Sequence, residues 1–178
     1  MSPDRESIST LTDLRTVDQN RRGRAVRRAM VTVLTLFVVT GATGLLGVRT
    51  RTTTASTDAG GGYTLSVTHA WISRAGLDTP WQVTVTHPGG FDGPVTLATD
   101  VHYFSLFEAQ GFTPEPDSET SGGRYVYQQF APPPGDTLTV QFDAYIQPSS
   151  QHGEKAETAL LIDGREMTRV AYRTRLVP

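Results

Sequence analysis

Four histidines, His69, His87, His102 and His152, are the side chains of this sequence best suited to act as a base or a nitrogen ligand near neutral pH. To work as a general base, or to hold Zn or Cu, they would have to converge with carboxylates. No pair has a local ligand spacing of the HExxH kind, and His69 and His87 fall at the ends of strand-like segments, where an imidazole is readily solvated. No GxSxG marks a nucleophile elbow. The chain has no cysteine, which removes thiol catalysis, CxxC redox chemistry, thiolate metal sites and disulfides together. The expectation is a protein that is not an enzyme and carries no cofactor or metal.

Binding chemistry is concentrated in the least regular stretch, VHYFSLFEAQGFTPEPDSETSGG from Val101 to Gly123. Tyr103, Phe104, Leu106, Phe107 and Phe112 cluster beside the acidic Glu108, Glu115, Asp117 and Glu119. Two readings stay open. In one, aromatics form the hot spots of a partner-docking surface and the acidic rim steers a basic partner. In the other, the aromatics plug a core beneath a solvated loop. The candidate partner-binding set is Tyr103, Phe104, Phe107, Glu108, Phe112, Glu115, Asp117 and Glu119. Calcium binding by Asp117 and Glu119 is the weaker reading, because such acidic runs are common in solvated loops. Arg165, Arg169, Arg173 and Arg175 fall on one face of a final strand, set either to grip an anion or to pair with acids such as Asp143 on a neighbouring strand.

The elements that must position these residues are strands. From Tyr63 onward apolar and polar residues alternate with period two: Tyr63, Leu65 and Val67 against Thr64, Ser66 and Thr68, then Trp81, Val83 and Val85 against Gln82, Thr84 and Thr86. Pro88 to Pro94 is a dense turn signal before the Val95 and Leu97 strand. Leu138, Val140, Phe142, Ala144 and Ile146 alternate cleanly after the short polyproline turn at 131–135. Asp163-Gly164, the dipeptide of a type I′ hairpin, separates Ala159–Ile162 from Met167–Val177. About seven short strands with Gly and Pro turns, and no amphipathic helix among them, predict an all-β, antiparallel β-sandwich of immunoglobulin or fibronectin-III type over 63–178.

The segment from Trp81 to Leu97, an aromatic-led strand followed by a Gly/Pro turn and a Val-Thr-Leu strand, resembles the early strands of bacterial immunoglobulin-like adhesion and stalk modules. Fifteen Arg to one Lys, with abundant Ala, Gly, Thr and Val, fit a GC-rich bacterial genome. As a whole the chain resembles small single-pass membrane proteins of GC-rich Gram-positive bacteria with one such ectodomain. That resemblance implies topology and fold, and brings no catalytic residues with it.

Membrane topology is read from Ala29 to Val48, twenty residues without a charge, directly behind Arg21, Arg22, Arg24, Arg27 and Arg28. As a helix such a run crosses roughly 30 Å of hydrocarbon, and flanking arginines stay in the cytoplasm. The expected organisation is a disordered cytoplasmic tail over 1–28, a transmembrane helix over 29–48, a flexible Thr/Gly/Ser-rich linker over 49–62 and an extracytoplasmic domain over 63–178. The alternative is a cleaved signal peptide with Met30 to Val39 as its apolar core and small residues at Thr40, Gly41, Ala42 and Gly44 for the peptidase. Residues 1–28 carry seven Arg against four Asp and Glu, whereas 52–178 carry seven Lys and Arg against fourteen Asp and Glu. An acidic ectodomain lacks the basic face that phosphates require, which argues against nucleic acid. The functional expectation is a membrane-anchored accessory or protein-interaction module for another envelope or membrane protein. Its alternative is a secreted domain that recognises cell-wall glycan or a small molecule.

Overall fold

The computed structural model describes residues 17–43, 47–57, 62–108 and 111–177, of which 17–20 are described by backbone alone. They form two compact units, divided between Gly47 and Val48.

Among the described residues, the first unit holds one helix, α1 (Val17–Ala42). Its stretch Arg21–Ala42 is long and apolar enough to cross a membrane, by length and composition. Met30, Val31, Val33, Leu34, Leu36, Phe37, Val38 and Val39 are all exposed, so the helix buries none of its apolar stripe within its own unit. The helix differs from the expected span at both ends. It begins inside the segment read as a disordered tail, with residues 1–16 of that segment outside the described residues. It stops at Ala42, after which Thr43 accepts a turn by donating its backbone N–H to Val39 O at 3.0 Å.

The second unit is built almost entirely of strands. Its strands are β1 (Arg49–Ser56), β2 (Thr64–Ser73), β3 (Asp78–Thr86), β4 (Val95–Asp100), β5 (Phe112–Thr113), β6 (Ser118–Gly122), β7 (Tyr125–Phe130), β8 (Thr137–Tyr145), β9 (Lys155–Ile162), β10 (Arg165–Arg173) and β11 (Arg175–Leu176). A one-turn helix, α2 (Val101–Phe104), follows β4. One sheet runs β1-β2-β3-β8-β5, with β11 added parallel to β2, and the other runs β10-β9-β4-β7-β6; all other pairings are antiparallel. Leu65, Val67, Val83, Val85, Leu138 and Val140 of the first sheet share one core with Val95, Leu97, Phe130, Leu160 and Val170 of the second. Alternate residues of β3 and β8 are buried, and β8 alternates through its first eight positions.

The segment expected to be a linker is corrected by β1. Arg49–Ser56 pairs with β2 from Arg49 opposite Ile72 to Ser56 opposite Thr64. Its outward residues continue a face of hydroxyls and amides across four strands: Thr54, Ser66, Thr84 and Thr139 lie in one row, and Thr52, Thr68, Gln82 and Gln141 in the next. Hydroxyl pairs join Thr52 to Thr68 at 2.8 Å and Thr54 to Ser66 at 2.9 Å. The Asp163-Gly164 turn is present between β9 and β10, with φ of 50° and 74° at the two residues, the left-handed pair that a type I′ turn requires. Gly153 has a different reason to be glycine: a Cβ there would collide with Thr174 O, so the backbone before β9 presses directly on the residue between β10 and β11.

Inside the core a chain of polar groups crosses between the sheets. Trp81 Nε1 donates to the Tyr172 hydroxyl at 3.0 Å, which bonds Thr158 Oγ1 at 3.0 Å, itself 3.1 Å from Thr99 Oγ1. Thr174 Oγ1 donates to Ala70 O at 2.6 Å, so the Tyr103 hydroxyl, 2.9 Å from Thr174 Oγ1, must be the donor of that second bond. All five of these hydroxyl-bearing residues are buried. Satisfying each in this way is what makes their burial tolerable.

Candidate interaction site

The sequence-predicted residues separate into three groups once folded. Tyr103 is 1% exposed and belongs to the core, where α2 carries it down between the sheets. Asp100 starts that turn by accepting His102 N–H at 3.1 Å, and it also takes Arg124 Nε at 2.9 Å. Glu115 and Asp117 are exposed on the approach to β6, where Asp117 N–H donates to Gln129 O at 2.8 Å. Phe104, Phe107, Glu108, Phe112 and Glu119 come together around one cleft of about 230 Å³, completed by Val126, Gln128 and Phe142.

The cleft lies where the short strands β5 and β6 end their respective sheets, so the two layers part there and the core is open from the side. Its walls are aromatic. Phe142 stands opposite Phe112 in register, with rings 4.7 Å apart. Phe104 meets Phe142 at 5.3 Å and Phe112 at 5.7 Å, both edge to face, and Phe107 meets Phe142 at 5.8 Å. Trp81 closes the inner end against Phe104, Phe112 and Phe142. Edge-to-face pairs of this kind are a favoured aromatic packing. The two sequence readings thus each describe part of one feature: Tyr103 and Phe107 plug the core, while Phe104 and Phe112 remain half-buried at its mouth.

The polar side chains on the cleft are two carboxylates and one amide. Glu108 and Glu119 are exposed on its rim, and neither has a cationic partner among the described residues. Gln128, fully buried, donates Nε2–H to Glu119 Oε2 at 2.9 Å. A carboxylate only accepts, so this bond fixes the orientation of the amide and leaves Oε1 as its remaining acceptor. That oxygen is buried without a donor. Gln128 was not singled out by sequence; its signal is a polar residue at an inward position of Val126-Tyr127-Gln128-Gln129-Phe130. Phe142 was read as a core residue, and only its pairing with Phe112 across thirty residues places it in the cleft.

The other candidate residues are used structurally. His69 is not at a solvated strand end: it faces the core of β2, is 2% exposed, and stacks obliquely on Tyr172 at 4.9 Å. Burial lowers its pKa below the ordinary value, with Arg51 acting in the same direction, against backbone contacts from Val67 and Arg173. His87 stacks on Tyr63 at 4.0 Å and its Nδ1 contacts Gly90 O. His102 and His152 are exposed. Among the described residues no three His, Asp or Glu side chains are grouped to hold a metal ion. Of the arginines, Arg169 bonds Glu157 on β9 and Glu166 on its own strand, both at 2.6 Å, and Arg124 reaches the same Glu157 at 3.4 Å. Asp143, the acid suggested by sequence, lies in the opposite sheet on β8. Bonding to Arg169 holds the Glu157 and Glu166 carboxyls below the usual carboxylate range.

No protein-family model matches the chain, and no curated protein matches it. Among solved structures it is similar to Pseudomonas fluorescens alkylpurine DNA glycosylase AlkC bound to DNA containing an abasic site analog, at 13% identity and a TM-score of 0.29, over 59% of this chain. The match spans only 28% of that glycosylase's length, and a likeness this slight carries neither fold nor activity to the present chain.

Proposed function

We propose that this chain is a non-enzymatic, single-pass membrane protein that presents one immunoglobulin/fibronectin-III-like domain outside the cytoplasm, as an accessory or interaction module for an envelope or membrane protein. The observation that carries the reading is the side-opening cleft, where half-buried aromatics adjoin two carboxylates without cationic partners. Hot spots of protein interfaces combine such aromatic anchors with a polar rim, and a rigid sandwich is a common scaffold for them. The sandwich assignment is supported by two antiparallel sheets on a shared core. Anchoring is supported by α1, whose exposed apolar side chains need a nonaqueous surrounding, and the orientation by the arginines that precede them.

A second reading has its own observation. The helix stops at Ala42, among the small residues where a signal peptidase would act. Cleavage there gives a secreted domain that recognises cell-wall glycan or a small molecule. One experiment separates the two: crosslinking of tagged full-length protein in native membranes, with mass spectrometry of the recovered partners and of the protein's own N-terminus. The anchored module yields a reproducible membrane partner and an intact N-terminus. A mature N-terminus near Thr43 or Leu45 with no partner overturns it in favour of the secreted domain.

A further inference from the structure

We infer that the cleft between β5 and β6 receives the guanidinium side chain of an arginine presented by the partner protein. This rests on the reading of the domain as an interaction module and names the chemistry of what it holds. Gln128 lines the cleft together with the carboxylates of Glu108 and Glu119, and its Oε1 is buried without a donor. That oxygen is the decisive group. A fully buried amide oxygen without a donor is costly, and its orientation is locked by the bond from Nε2 to Glu119. The missing group is therefore an N–H that enters from the cleft.

Charge and shape narrow the donor to a cation with a flat face. Two uncompensated carboxylates at the rim of an acidic domain attract positive charge, and the half-buried Phe104 and Phe112 rings lie beside them. Arginine meets both requirements, because its planar fork stacks on aromatic rings while five N–H groups serve several acceptors at once. Lysine brings a compact ammonium that stacks poorly. A cleft of about 230 Å³ accommodates one such side chain and not a folded segment.

The test is a titration of full-length protein in nanodiscs with the peptide Gly-Gly-Arg-Gly-Gly, read from the NMR signals of the Gln128 side-chain amide. Saturable shifts are expected, with weakening in high salt. The citrulline peptide, isosteric but neutral, and the exposed-rim double variant E108Q/E119Q should each weaken binding about tenfold or more. Equal binding of the citrulline peptide, unchanged binding by E108Q/E119Q, or no saturable shift up to the solubility limit of the arginine peptide overturns the inference. Equal binding of the lysine peptide overturns the guanidinium assignment. Crosslinking in native membranes, repeated with E108Q/E119Q, separates this failure from failure of the parent reading. A partner captured by wild type and lost by the variant supports both. A partner captured by both proteins leaves the interaction module standing and overturns the arginine cleft. Arginine binding in a protein that captures no partner overturns the module reading.

Discussion

The Tyr172 hydroxyl is the single atom on which two buried donors and acceptors depend, since Trp81 Nε1 and Thr158 Oγ1 both bond to it. Tyr172→Phe keeps the ring against His69 and Tyr103 but leaves the indole N–H unpaired in the core. The expected cost is about 1–3 kcal/mol, measured as a shift in urea midpoint at unchanged m value. His69 sets a second prediction. In the unfolded chain its imidazole titrates near 6.5, and burial depresses that value in the fold. Above 6.5 the ring is neutral in both states; as pH falls below it the unfolded chain takes up the proton first, and stability is lost toward the folded pKa. The carboxyls of Glu157 and Glu166, depressed by Arg169, lose their contribution only below their unfolded value of 4.5. Unfolding midpoints compared at about pH 7.5 and about pH 5.5 should therefore fall in the wild type and fall less in His69→Leu. An equal drop in both proteins would assign the acid sensitivity elsewhere.

At the scale of elements, β1 makes the sharpest claim. Replacing residues 49–56 with a Gly/Ser stretch of equal length would be neutral in a linker. Here it should destabilise the domain and remove hydrogen-exchange protection from β2, whose outer edge β1 covers and whose neighbour Ala55 packs on the core. The strand escaped sequence reading because an edge strand with one hydroxyl face carries no apolar alternation: RTRTTTAS has only Ala55 to signal an inside. By contrast β8 and the Asp163-Gly164 hairpin were legible, since each writes its geometry in contiguous residues. The cleft was half legible for the same reason. Phe104, Phe107, Glu108, Phe112 and Glu119 lie in one stretch, whereas Gln128 and Phe142 arrive from β7 and β8 through strand pairing. His69 was misplaced because alternation continues through it along β2, and a polar ring on the inward phase was taken to mark a strand end.

For the whole molecule, the division between Gly47 and Val48 makes the strand-built unit a compact body with its own core, which is expected to fold alone. A protein comprising residues 48–178 should unfold in one cooperative transition with the midpoint of the full-length chain, by circular dichroism and by tryptophan fluorescence alike. A lowered midpoint would make the helix part of the domain's stability. The buried polar chain also imposes an order in time. An N-terminus-first emergence delivers Ala70, Trp81 and Tyr103 well before Tyr172 and Thr174, the groups that satisfy them. Until β10 has emerged, closing the two sheets would strand an indole N–H and a carbonyl in a dry interior. A chain without β10 therefore has an incomplete core, and this final long strand acts as the latch on the two sheets.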